Sequence, residues 1–176
     1  MKTIIMFMGA VVSLLYLTNT VEPVTITPVP LSKPTPVEIF MKEVAKIESD
    51  GNHRVVNEFG MMGKYQFSPS TVRVLGFRMS KQQFLNNPQI QDTVMLAYMR
   101  ANYRDLKHYI EKYNGKVFKG IKITRAGVLA GAHFAGSGNV KKYFSSSDIE
   151  GLSDARGTTL RYYMKQFSNF HLPELL

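Results

Sequence analysis

Glu48-Ser49-Asp50-Gly51-Asn52, followed eight residues later by Gly60-Met61-Met62-Gly63-Lys64-Tyr65-Gln66-Phe67-Ser68-Pro69-Ser70-Thr71, is the stretch on which the reading of this chain turns. Just upstream, Val37, Phe40, Val44 and Ile47 recur at spacings of three and four, the period of one helical face. Thr35 as N-cap and Pro36 as first helical residue predict a helix that ends near Ser49 and carries Glu48 in its last turn. Asp50-Gly51-Asn52 breaks that helix, and residues 57–63, with Gly60 and Gly63 flanking two methionines, read as a compact turn or short hairpin. A carboxylate therefore leaves a helix end into a turn built on glycine. The helix dipole mildly disfavours a negative charge there, so Glu48 is either a solvated surface residue or a group kept for its chemistry.

Outward from this stretch the chain reads as a series of helices. Ser68-Pro69 opens a second helix running to about Leu75, Ser80 with Gln83 resembles a capping box, and Asn87-Pro88 opens the longest helix. Ile90, Val94, Ala97, Tyr98 and Ala101 give that helix its expected buried stripe, and Gly115 lies just past its end. Thr124 caps a helix from Arg125 to Ala135 whose Ala and Gly content suits close packing against a neighbour, and Gly136-Ser137-Gly138 marks a Gly-rich helix end. A last helix is expected around 158–167, and 117–123 is the only modest strand candidate. The fold class is mainly α, with at most a small β-hairpin.

Composition narrows the chemistry. The 176 residues suit one domain plus extras, and 22 Lys and Arg against 13 Asp and Glu leave a net charge of +9. Such a surface fits an anionic partner, which charge leaves open among nucleic acid, anionic lipid and an acidic polymer such as cell-wall glycan. No arginine-rich segment or recognised motif supports nucleic acid. Cysteine is absent, which excludes disulfides, thiol nucleophiles and Cys-ligated zinc, and the four histidines show no metal-ligand spacing, so no metal and no cofactor are expected. Residues 1–20, with Lys2 ahead of an apolar run of about 15 residues, read as a signal peptide or an uncleaved N-terminal membrane anchor. Five of the eight prolines fall in 21–36, an extended linker, leaving 37–176 as the folded domain. Either reading delivers the rest of the chain across a membrane.

A second segment, Ala132-His133-Phe134-Ala135-Gly136-Ser137-Gly138, completes the pattern. Together these motifs resemble the catalytic domain of the lytic transglycosylases, of the goose-type lysozyme-like superfamily. The family pattern of Glu-Ser, two spaced glycines, a Gln and then Pro and Thr is matched by Glu48-Ser49, Gly60, Gly63, Gln66, Pro69 and Thr71, with Glu48 and Gln66 eighteen residues apart as in the family. The family's later Ala-Tyr-Asn-Ala-Gly motif is matched in frame by Ala132, Ala135, Gly136 and Gly138, and the resemblance spans roughly residues 37–145. His133 replaces the family's usual Tyr and Phe134 its Asn, which puts that motif's substrate-positioning role in doubt. His133 can instead hydrogen-bond the catalytic carboxylate or a sugar, or simply pack.

The resemblance implies a lysozyme-like fold and a peptidoglycan substrate, cleaved at the β-1,4 bond between N-acetylmuramic acid and N-acetylglucosamine. Glu48 is the implied acid. Because a free Glu is ionised near neutral pH, surrounding Met61, Met62, Tyr65 or Phe67 would have to favour its neutral form. Glycosidases usually need a second carboxylate, and the nearby Asp50 and Glu58 are poorly placed in sequence to supply one. A lytic transglycosylase avoids the need: the muramyl 6-hydroxyl attacks internally, one Glu serves as acid and then base, and the product is a 1,6-anhydromuramyl end. Asn57, Met62, Tyr65, Gln66, His133 and Phe134 are the candidate substrate-binding residues, with Gly60 and Gly63 letting backbone approach the glycan. Core packing competes with sugar contact for Tyr65 and Phe134, and a turn role competes for Asn57. A hydrolytic muramidase with the same Glu and an inactive wall-binding scaffold are the alternatives, and a larger secretion, conjugation or phage machine is a possible partner.

Overall fold

Side-chain caps start nearly every helix. In the computed structural model, which describes residues 33–147 and 157–173, Thr35 and Glu38 form a reciprocal capping box at the start of α1 (Pro36–Ser49). Ser68 caps α2 (Pro69–Val74), Ser80 with Gln83 boxes α3 (Lys81–Leu85), and Asn87 caps α4 (Pro88–Tyr113). Thr124 caps α5 (Arg125–Ala135) and Thr159 caps α7 (Leu160–Gln166). Each cap oxygen accepts an amide that the first helical turn would otherwise leave unpaired.

Between α4 and α5 lies an antiparallel pair, β1 (Val117–Phe118) and β2 (Ile121–Lys122), in which Val117 faces Lys122 and Phe118 faces Ile121. Its two-residue turn, Lys119-Gly120, has positive φ at both positions, the turn whose twist suits a tight hairpin. The Lys119 ammonium donates to the carbonyls of Tyr143 and Ser146, tying the hairpin to the end of α6 (Ser137–Ser145).

The mainly α architecture, with one small hairpin among the described residues, is as the sequence suggests. Four details differ. Helix α6 was read only as a Gly-rich helix end, because its N-cap is Gly136 and no side chain caps it, so the usual start signal is missing. In α4 the buried face is Gln91, Val94, Met95, Met99, Asn102, Leu106 and Ile110, whereas Ile90, Ala97, Tyr98 and Ala101 are only half-buried. Two polar residues sit on that face and disguise it as surface. The last helix begins at Leu160, after its Thr159 cap. Finally, Pro36 is helical, so the linker reading of 21–36 overlaps α1 at its end; residues 1–32, with the signal or anchor and most of the linker, lie outside the described residues.

The core is shared by all layers of helix. Phe40 and Val44 of α1, Met95 and Leu106 of α4, Val128 of α5 and Phe167 after α7 are all essentially inaccessible to water. Helix α4 packs on α3, α5 and α6, and α5 in turn packs most extensively on α7. The approach of α5 to α7 is set by Gly127, where an added Cβ would stand 2.4 Å from the Met164 carbonyl oxygen. A backbone atom cannot rotate out of the way, so Gly127→Ala should force the helices apart and cost about 1–3 kcal/mol. Thermal denaturation should show a Tm several degrees below wild type.

Candidate active site

Helix α1 ends where Asp50 turns left-handed, at φ 54°, and the amides of Asp50 and Gly51 close back onto the carbonyls of Lys46 and Ala45 respectively. That stop leaves Glu48 in the final turn, its side chain 18% exposed. The neighbouring Ser49 hydroxyl donates to the carbonyl of Lys64 at 2.9 Å, so the helix end is pinned to the segment that follows the glycine turn.

That segment is held from both sides. Gly63 N–H donates to Val55 O at 2.9 Å, and Met62 and Phe67 exchange backbone bonds of 2.8 and 3.0 Å. From α4, the fully buried Gln91 accepts the Lys64 amide at 2.8 Å and donates to the carbonyls of His53 and Phe84, both at 2.9 Å. Gly63 makes this possible: its φ is +73°, and a Cβ there would lie 2.3 Å from Gln91 Oε1. The next residue, Asp92, pairs with the Lys64 ammonium at 2.7 Å and accepts from the Tyr65 hydroxyl. Burial, with the Asp92 carboxylate beside it, pushes the Tyr65 hydroxyl above the usual phenol range.

Across from Glu48 stands α5. His133 Nε2 lies 3.2 Å from Glu48 Oε1, and the His133 side chain is 5% exposed. The rings of Phe67, Tyr98 and Phe134 surround the imidazole edge-on, at centroid separations of 5.6, 5.7 and 5.2 Å. Tyr98 also donates its hydroxyl to Ala132 O at 3.2 Å, which fixes the turn of α5 that carries His133; burial raises the pKa of that hydroxyl.

The other candidates fall into distinct places. Gln66 adopts a left-handed conformation, φ 49°, with its side-chain amide donating to Gly63 O at 2.8 Å. Asn57 spends its side-chain oxygen inside its own loop, accepting the amides of Phe59 and Met61 at 2.9 Å each. Met62 and Tyr65 pack into the core at 3% and 2% exposure. Phe134 is half-buried, with one face of its ring covered by Tyr163, stacked at 3.9 Å and 10°. Asp50 and Glu58 are both exposed. Gln91 and Asp92 escaped sequence reasoning, because a polar pair in the first turns of a long helix ordinarily faces water. A cavity of about 870 Å3 runs along another flank of α1, between Met41, Ala45, Lys64, Tyr65, Leu96 and Arg100, and neither Glu48 nor His133 lines it.

A carboxyl group at a helix end, faced by a buried imidazole, is a site suited to moving one proton. A family model described as the transglycosylase SLT domain matches residues 32–153. The chain belongs to the transglycosylase SLT domain family. No curated protein and no solved structure matches it. As an SLT domain it is of the lytic transglycosylase type and acts on peptidoglycan, which places its action outside the cytoplasm. No helix among the described residues of this SLT domain is long and apolar enough to cross a membrane.

Two substitutions probe how the site is built. Gln91→Leu keeps bulk but strands the Lys64 amide and two carbonyls, and should cost about 2–5 kcal/mol together with most wall-lytic activity, read by denaturant unfolding and by turbidity loss of cell walls. Gln66→Gly relieves the left-handed strain, so Tm should hold or rise by an amount worth about 0.5–1 kcal/mol while wall-lytic activity falls.

Proposed function

We propose that this SLT domain is a lytic transglycosylase that cleaves the β-1,4 bond between N-acetylmuramic acid and N-acetylglucosamine, with Glu48 as its single acid and base. The observation that carries the reading is Glu48 itself: a carboxyl group partly withdrawn from water at the end of α1, still reachable from solvent, with His133 Nε2 at 3.2 Å. In the first step a protonated Glu48 gives its proton to the glycosidic oxygen as the C1–O bond breaks. The sugar gains oxocarbenium character, and the muramyl 6-hydroxyl, already part of the same ring system, attacks C1. Glu48, now a carboxylate, takes the hydroxyl proton and returns to its acid form. The product is a 1,6-anhydromuramyl end, and no second carboxylate is required.

Gln66 supplies amide hydrogen bonding beside the scissile unit in this reading, and Asn57 shapes the loop at the groove's edge. Residues 1–20 act as a signal peptide or anchor and 21–36 as a linker that spaces the domain from the membrane, so that it works in the periplasm or envelope. The net charge of +9 suits that surrounding.

Mass spectrometry of digested, purified peptidoglycan tests the reaction. Anhydromuramyl ends are expected; reducing-end muramic acid in their place assigns the domain to the hydrolytic muramidases with the same acid. Glu48→Gln should lower turnover by at least about 10³-fold without loss of fold. A Glu48→Gln protein with wild-type wall-lytic activity removes Glu48 from the mechanism.

A further inference from the structure

The imidazole of His133 has two nitrogens in unlike surroundings. Nε2 faces Glu48 Oε1 at 3.2 Å, within hydrogen-bond reach. Nδ1 is buried and has no hydrogen-bond partner among the described residues. Of the groups that face the ring, Glu48 from α1 and Tyr98 from α4 are titratable, and Phe67 and Phe134 are apolar.

A neutral imidazole carries one N–H and one lone pair, while an imidazolium carries two N–H groups. Placing the single proton on Nε2 points it at a carboxyl oxygen. Adding a second at Nδ1 would bury a charged donor with no acceptor, which costs more than the same group hydrated. We propose that His133 is a fixed neutral donor, with Nε2–H directed at Glu48 Oε1 and the Nδ1 lone pair sealed away, and that it positions Glu48 so that Oε2 alone carries the acidic proton.

This inference rests on Glu48 being the acid. Its consequence for the reaction is a matter of timing. An imidazolium beside Glu48 would hold the carboxyl group in its charged form and strip it of the proton it must deliver. A neutral donor interacts weakly with the protonated acid and strongly with the carboxylate formed when the proton leaves, so its contribution grows as the transition state is reached. The proton balance is complete without His133 changing state. The Oε2–H bond breaks as the leaving glycosyl oxygen gains its proton and C1–O opens; then the 6-hydroxyl O–H breaks, C1–O6 forms and Oε2–H is restored.

Nitrogen-15 NMR of the imidazole in the intact folded domain reads the tautomer directly. The expected spectrum at neutral pH has a protonated Nε2 and a lone-pair Nδ1. An imidazolium at neutral pH, or a proton on Nδ1 with none on Nε2, overturns the proposal. Kinetics supply a second reading: His133→Phe should lower kcat on the order of 10²-fold with KM changed less than about twofold, and His133→Gln, whose amide can still donate, should recover most of that loss. A His133→Phe protein with wild-type kcat overturns the positioning role. The two levels separate cleanly, since an inactive Glu48→Gln protein beside an imidazolium at position 133 sinks only this inference, whereas an active Glu48→Gln protein sinks the acid assignment whichever nitrogen of His133 bears the proton.

Discussion

The triple hydrogen bond of Gln91 is the constraint from which the site follows. One amide group, withdrawn completely from water, joins three stretches of chain: the Lys64 amide, the His53 carbonyl and the Phe84 carbonyl. A buried amide is costly when unpaired, so all three stretches are held to α4 at once or not at all. Asp92 repeats the grip one residue later through Lys64 and Tyr65, and Ser49 completes it from α1. The glycine turn after Glu48 is thereby fixed to two helices, and the backbone positions of Glu48 and Gln66 are set relative to each other before any substrate arrives. Backbone held in this way needs no further ordering when a ligand binds.

The opposite wall depends on a different kind of contact. Helix α5 brings His133 to Glu48, and it is held there by rings and by close packing more than by polar bonds. Phe67, Tyr98 and Phe134 box the imidazole, and Phe134 is itself stacked on Tyr163 of α7. The polar wall fixes the backbone around Glu48, and the aromatic wall fixes the imidazole that faces it.

Much of the fold was legible because the chain marks its helix starts with capping residues. Thr35-Pro36, Ser68-Pro69, Ser80 with Gln83, Asn87-Pro88 and Thr124 all cap the helices expected of them, and the exception, α6, lacks a side-chain cap. The position of Glu48 at a helix end was legible for the same reason, as was the hairpin near 117–123. What stayed hidden was burial of polar groups. Gln91 and Asn102 lie on the inner face of α4, where periodicity of apolar residues cannot find them, and their presence rotated the expected stripe onto Ile90, Ala97 and Ala101. Tyr65 and Phe134 were ambiguous between core and groove because an aromatic next to a motif glycine suits both, and only their tertiary neighbours decide.

The close approach at Gly127 bears on where the working unit ends. The family match stops at residue 153, yet Leu160, Met164 and Phe167 are almost wholly buried, and α7 is the element α5 leans on most. The minimal functional fragment is thus longer than its recognisable motif region. Helix α7, which lies beyond residue 153, buttresses α5, so a boundary drawn at the last matched residue would cut through the hydrophobic interior and leave the helix bearing His133 without its support.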